Sequence, residues 1–272
     1  MKELFKGNKA LKTTIKEIAE VAEYLWQRGW AERNAGNISV NINDIYTGEI
    51  HNFESYPFFE LDREYPLLTE AYFFVTGTGK RMRDLSRKPM KNTLLIRLNK
   101  KANGYWIISQ KKKMQDNFMP TSELPSHLSI HELFAQRGSN EKVVLHTHAN
   151  ELVALTQLRE YCNEENLNNL LWGMHPETMV FVPKGVGFVP YKIPGSVEIA
   201  EATIEILKDR DVALWEKHGV FAVGDNVFET FDMIDILAKS ARIFFMCSSS
   251  GLKAEGLTTE QLNDLKELSS KF

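Results

Sequence analysis

Two histidines stand one residue apart in "VVLHTHANE", Val143 to Glu151, and a third closes the run "DVALWEKHG", Asp211 to Gly219. In a β-strand, side chains two apart leave the same face, so His146 and His148 project together about 6 to 7 Å apart along the backbone. Two imidazoles can close that separation onto one ion. The preceding Val-Val-Leu holds the backbone in a buried strand, which fixes the ligands before a metal arrives. His218 ends a second apolar strand and is followed by Gly219, a residue that permits a tight exit or a close backbone approach. Three neutral imidazoles suit a catalytic zinc at about 2.0 to 2.1 Å each, with one coordination position left for substrate. Taken one at a time, each histidine is equally a core residue hydrogen-bonded to backbone; at two strand ends together they favour a metal.

A second cluster lies on the segment that begins near Ser122, where Glu123, His127 and His131 follow one another at i, i+4 spacing and share a helix face. The HExxH pattern is missing, so His127 and His131 are assigned structural, solvated or capping roles. Glu123 is either a helix-start acid or a base beside the metal. His51 and His175 lie in irregular segments.

"FFVTGTGKRM" runs a strand into a glycine turn, a geometry in which backbone N–H groups can hold a phosphate. It is neither a Walker A loop nor a GxGxxG turn, because Phe74, Arg81 and Met82 occupy required positions. "ERNAGNIS" joins helix to strand through Asn34, Gly36 and Asn37, residues that suit turns. "PTSE" adds hydroxyls at a helix start, where the helix dipole favours negative charge.

The elements that must position these groups are legible from periodicity. From Thr13 to Trp30, apolar residues recur at spacings of three and four and predict an amphipathic helix. "NISVNI", "YFFVTG", "TLLIRL", "GYWIIS", "EKVVLHTH", "TMVFVP", "DVALWEKHG" and "VFAV" read as strands. Helices follow from "TSELPSHLSIHELFAQRG", with Pro125 in its first turn, from the long run ending at Gly251, and from "LTTEQLNDLKEL", where Thr258 and Gln261 form a capping box. Strands and helices interleave without repeat or linker, so residues 1–272 are expected to form one α/β domain. Residues 45–68, rich in aromatics, proline and acids, read as a surface insertion.

The bulk numbers remove several classes of function. A formal charge of -3 over 272 residues gathers no polyanion, so nucleic acid is not implied as a partner. No run of 18 or more apolar residues occurs and the N-terminus lacks a signal-peptide core, which makes a cytoplasmic protein with no membrane partner the expectation. The cysteines, Cys162 and Cys247, form no CxxC pair, so the chemistry falls to nitrogen and oxygen.

In order, "ERNAGNIS", "VTGTGK", "PTSELPSH", "LHTHAN" and "KHGVF" resemble the class II aldolase/adducin family, and the resemblance covers most of the chain. The intervening blocks "WQRGWAERNAGNIS", "LVALT", "GVGFVPY" and "PGSVEI" resemble its rhamnulose branch. The resemblance implies an α/β fold round a mixed, largely antiparallel sheet flanked by helices, and a homotetramer with sites near subunit interfaces. It implies one Zn2+ per subunit on His146, His148 and His218. It further implies that Asn34, Asn37, Gly77, Thr78 and Ser122 bind the phosphate of dihydroxyacetone phosphate, and that Glu123 is the catalytic carboxylate. Glu177 matches a second carboxylate that the family supplies across the subunit interface near the aldehyde end of the substrate. "GMHPE" departs from the family pattern there and makes His175 a competitor. The implied reaction is reversible cleavage of L-rhamnulose 1-phosphate, a small sugar-phosphate substrate, to dihydroxyacetone phosphate and L-lactaldehyde in rhamnose catabolism. Alternatives within the family are a fuculose-phosphate aldolase or a ribulose-phosphate epimerase. From another class comes an adducin-like interaction protein without chemistry.

Overall fold

A computed structural model describes residues 8–46, 48, 50, 52–110 and 118–269, and His51 lies outside them. Its contacts group the chain into two compact units, Met1–Leu145 with Gly224–Phe228, and His146–Val223 with Glu229–Phe272.

The first unit opens with helix α1, Lys9–Gln27, whose Asn8 side chain accepts a hydrogen bond from the Leu11 amide at 3.1 Å and so caps the free N–H groups of the first turn. Ile15, Ile18, Ala22 and Leu25 form its buried stripe, as the periodicity predicts, joined by Leu11 ahead of the predicted start, whereas Trp26, which the same spacing includes, is exposed. Burying each of the larger ones contributes about 1.5 to 3 kcal/mol. Strands β1 (Asn37–Asn41), β2 (Phe58–Glu60) and β3 (Tyr72–Thr76) follow, then the short helices α2 (Met82–Arg87) and α3 (Pro89–Asn92). Strands β4 (Thr93–Leu98) and β5 (Gly104–Ile107), helix α4 (Leu124–Arg137) and strand β6 (Val143–Thr147) complete it. The strand order here is β2-β5-β4-β3-β1-β6. The pairs β1–β3, β3–β4, β4–β5 and β2–β5 are antiparallel. Phe73, Val75, Leu94, Ile96, Leu98 and Ile107 pack with Leu124 and Leu128 of α4, so the helix covers one face of these strands.

The stretch 45–68 is partly built into this sheet. Phe58–Glu60 pairs with β5, and Tyr65 and Leu68 are buried in the same core cluster. Proline and acids around a three-residue strand hide its alternation.

The last residues of β6, His146 and Thr147, already belong to the second unit. Helices α5 (Asn150–Leu155), α6 (Glu164–Met174) and α7 (Pro176–Phe181) precede strand β7 (Val186–Val189), helix α8 (Val197–Leu207) and strands β8 (Val212–Trp215) and β9 (Gly219–Gly224). Helices α9 (Val227–Ser249) and α10 (Thr259–Ser269) close the described chain. Strands β7 and β8 pair in parallel through the α8 crossover, and β8 and β9 pair antiparallel. The sheet is therefore mixed and largely antiparallel, and helices flank it. Buried Asn168 holds β7 in place, donating to the Val186 carbonyl at 2.9 Å and accepting from its amide at 2.7 Å. The capping box of α10 forms as predicted, with Thr258 N donating to Gln261 Oε1 and Gln261 N to Thr258 Oγ.

"TMVFVP" corrects the sequence reading. It is helix α7, not a strand, because Pro176 sits at the first helical position and Glu177 in the first turn, both favourable at a helix start. The β-branched residues that suggested a strand are too few to outweigh them. Among the described residues no helix is long and apolar enough to cross a membrane.

Helix α4 also meets β1 through polar groups. His127 Nδ1 lies 2.7 Å and His131 Nε2 2.8 Å from the Ser39 hydroxyl, and the two rings are 0% and 1% exposed. Both are buried rather than solvated. Burial first, and the neighbouring His127 second, hold the His131 imidazole well below its ordinary value of 6.5. Below about pH 6.5 the unfolded chain takes up a proton at His131 that the folded chain declines, so stability is full above that pH and declines as pH falls. His131→Gln keeps a donor near Nε2 without the titration. Urea unfolding is expected to show wild type losing up to about 1.4 kcal/mol per pH unit more than this variant between about pH 6 and 5; parallel pH dependences would contradict a neutral buried His131.

Candidate metal centre and phosphate loops

The metal candidates are built from the buried end of β6 and the β8–β9 turn. Val143, Val144 and Leu145 are fully buried and carry His146 into the interior, where its ring is 1% exposed. Its Nδ1 lies 3.1 Å from the Val220 carbonyl. A carbonyl only accepts, so Nδ1 holds the ring proton and the lone pair sits on Nε2. Phe221 stacks on the ring at 4.3 Å and Trp215 lies at 5.3 Å, which locks its orientation. His148 falls just past the strand, yet its ring centre is 5.2 Å from that of His146.

His218 is placed differently from the sequence expectation: it lies in the turn after β8 rather than at a strand end. Glu216 N donates to the Val189 carbonyl at 2.9 Å and Lys217 N to the Thr156 hydroxyl at 2.8 Å, which pins this turn. Lys217 adopts φ 58, uncommon for a residue with a Cβ. The result sets the His218 ring 4.9 Å from His148 and 5.2 Å from His146. One ligand nitrogen from each of the three lies within 4.8 Å of the others, and among the described residues this is the group that fits a metal ion. Burial first, then His148 and His218, hold His146 well below its ordinary 6.5, in the neutral form a metal requires.

Gly219 makes this convergence possible. A Cβ there would lie 2.6 Å from the Thr147 carbonyl oxygen and 2.9 to 3.0 Å from the rings of His146 and His148. The sequence reading of a close backbone approach is the one realised.

The first unit holds the remaining candidates. Residues 119–121 run beside the "TGT" turn: Thr78 N donates to the Met119 carbonyl at 2.8 Å, Thr121 N to the Thr76 carbonyl at 2.9 Å, and Gly77 bridges to Pro120. This brings Gly77 and Thr78 to the segment that carries Ser122 and Glu123. A Cβ on Gly77 would collide with the Phe118 ring. The Gly77 amide donates to the Asn92 carbonyl at 3.0 Å, so the amides of Gly77 and Thr78 are both spent inside the protein. Thr78 and Ser122 are exposed and carry side-chain hydroxyls in this region. Asn34 is exposed in the turn between Arg33 (φ 47) and Gly36 (φ 81).

Glu123 occupies the N-cap of α4 but does not cap it. Its Oε2 instead accepts from Asn37 Nδ2 at 2.6 Å, and Asn37 Oδ1 makes a short contact with His127 Nε2. The rival cluster of Glu123, His127 and His131 is therefore joined through Asn37 and Ser39 and is not a metal group. Sequence reasoning missed this link: Asn37 and Ser39, two apart on β1, and the histidines, four apart on α4, each mark one face, but neither spacing says that the two faces meet.

Glu177 is not a member of the histidine group. It is exposed in the first turn of α7 and lies 2.9 Å from His175 Nε2. The competitor noted in the sequence is its direct partner. Burial first lowers the His175 pKa, with Glu177 acting in the opposite sense.

Comparison with known proteins places the family. The family described as "Class II Aldolase and Adducin N-terminal domain" matches residues 16–245. A protein named rhamnulose-1-phosphate aldolase from Bacteroides thetaiotaomicron is 45% identical over 275 aligned positions, covering 100% of this chain and 98% of its own. One of the same name from Klebsiella pneumoniae is 34% identical, covering 87% and 86%. Among solved structures, a sugar-phosphate aldolase from Thermotoga maritima superposes with a TM-score of 0.75 at 34% identity, covering 90% of this chain and 99% of that one.

Replacing Gly219 by Ala is expected to lower divalent-metal affinity about tenfold or more, the scale of disturbances just outside a coordination shell, while circular dichroism stays unchanged. Metal analysis of the purified variant measures this. Metal content equal to wild type would mean that Gly219 does not set the approach of the three rings.

Proposed function

Because the chain belongs to the class II aldolase and adducin family, matched over residues 16–245, we propose that it is a metal-dependent aldehyde-lyase that reversibly cleaves L-rhamnulose 1-phosphate to dihydroxyacetone phosphate and L-lactaldehyde. The observation that carries the reading is the convergence of His146, His148 and His218, one ligand nitrogen from each within 4.8 Å of the others. The 45% identity to a rhamnulose-1-phosphate aldolase over the whole chain supports the substrate.

Three neutral imidazoles with an open fourth position suit Zn2+, and we assign one ion per subunit to them. Bound there, the ion supplies Lewis acidity for the charge that develops beside the substrate carbonyl when the carbon–carbon bond breaks. Glu123 handles the proton. It protonates the carbon left with the bonding electrons after cleavage, in balance with the proton lost by the substrate hydroxyl that becomes the aldehyde carbonyl, and removes the carbon-bound proton in the direction of addition. The hydrogen bond from Asn37 directs its carboxylate. Asn37 spends its carbonyl oxygen and one amide hydrogen inside the protein, so its second amide hydrogen is the one offered to substrate. Asn34, Thr78 and Ser122, with Gly77 shaping the turn, hold the substrate phosphate.

Glu177 reaches the aldehyde end of a substrate held by a neighbouring subunit, in a homotetramer with its sites near the interfaces; its exposure in the first turn of α7 fits a group that serves another chain. The enzyme acts in the cytoplasm, in rhamnose catabolism.

A coupled assay for dihydroxyacetone phosphate tests the reading with L-rhamnulose 1-phosphate and L-fuculose 1-phosphate, with and without chelator. Release from the first is expected, abolished by chelator and restored by zinc. Glu123→Gln is expected to cut turnover by about 10²- to 10⁴-fold with metal content intact. Release from L-fuculose 1-phosphate alone would move the enzyme to another branch, and no release together with no bound metal would remove the reading.

A further inference from the structure

We infer that His127 is a positioning residue for Glu123, held in that role by a one-way chain of hydrogen bonds that begins at His131 and ends on the Glu123 carboxylate. The inference rests on the reading of Glu123 as the proton-transferring group.

The direction of the chain follows link by link from what each atom can donate. A carboxylate only accepts, so the Asn37 atom 2.6 Å from Glu123 Oε2 is the amide nitrogen. That fixes the Asn37 side chain with its carbonyl oxygen toward His127 Nε2. A carbonyl cannot donate, so His127 Nε2 carries the proton. A fully buried imidazole holds one proton, which leaves His127 Nδ1 as an acceptor. The Ser39 hydroxyl, 2.7 Å away, donates to it. Ser39 has no second proton, so its oxygen must accept from His131 Nε2 at 2.8 Å. His131 Nδ1 ends the chain as a buried lone pair with no hydrogen-bond partner.

Every donor in the sequence His131, Ser39, His127, Asn37 thus points toward Glu123. Bonds aligned head to tail polarise one another, so the Asn37 amide is a stronger donor than an isolated one. The Asn37 amide also cannot rotate without breaking its bonds at both ends. An amide does not relay protons under these conditions, so the chain sets the orientation of the carboxylate and supplies no proton to it. This accounts for a glutamate that stands at the N-cap of α4 and leaves the helix amides alone.

The elements that carry the chain are rigid. Asn37 and Ser39 project from the same face of β1, and His127 and His131 from successive turns of α4, with the Phe73 ring 4.8 Å from His131 and the Phe134 ring edge-on at 5.6 Å.

Two measurements on the intact enzyme test the inference. Nitrogen-15 NMR of histidine-labelled protein is expected to find both His127 and His131 as the Nε2–H tautomer. Ser39→Ala, which removes one buried oxygen, is expected to lower kcat for cleavage of L-rhamnulose 1-phosphate by about tenfold or more, the cost of weakening a bond to a charged group, with KM and metal content held within about threefold. Ser39→Thr restores the hydroxyl and is expected to recover most of kcat. An Nδ1–H tautomer at His127, or a Ser39→Ala enzyme with wild-type kcat, overturns the inference and leaves the proposed function standing. A Glu123→Gln enzyme that turns over like wild type removes the proposed function, and the inference with it.

Discussion

Imidazole rings with centres about 5 Å apart and one of them fully buried cannot all be cations, and this electrostatic constraint governs the second unit. Neutral rings can share the space, and their lone pairs then face one another across a gap that suits an ion. The Val220 carbonyl takes the Nδ1 proton of His146, and Phe221 and Trp215 hold the ring against rotation. The pinned turn after β8 and the missing side chain at Gly219 bring His218 to the other two rings. Folding is thus made to assemble a ligand set whose members repel when charged, and binding of a divalent ion stabilises what folding has gathered.

The first unit solves a different problem, the orientation of a carboxylate. Glu123 sits at a helix start where a side chain would ordinarily turn back on the helix amides. Asn37 draws it away, and behind Asn37 the buried polar groups of α4 and β1 bond to one another, with His131 Nδ1 left as the end of the chain. The adjacent "TGT" turn is likewise fixed by its amides, which are consumed by Asn92 and Met119. The side chains this turn offers are consequently hydroxyl groups, and its Gly77 and Thr78 amides form no backbone cradle.

His146 and His148 were legible because a period of two sends both to one side, and the two rings stay together although His148 falls one residue past β6. His218 was legible as a ligand type but misplaced, because periodicity marks where an apolar run ends and says nothing of a turn that continues past it. Most strands were found from alternation; the α7 segment was misread because five adjacent apolar or β-branched residues, Thr178 to Val182, outweighed the proline before them. The edge strand β2 was missed because it is short and set among aromatics and acids. The link between Asn37 and His127 lay beyond local pattern altogether. It joins residues 90 positions apart, and nothing in either segment specifies the pairing of β1 with α4.

X-ray absorption at the metal edge, on protein purified without added zinc, addresses the central claim most directly. One divalent ion per chain is expected, with three imidazole nitrogens at about 2.0 to 2.1 Å and lighter-atom ligands completing the shell, and with the signal lost on replacing His218 by Ala. A stoichiometric ion bound without three imidazoles, or fully metallated His218→Ala protein, would contradict it.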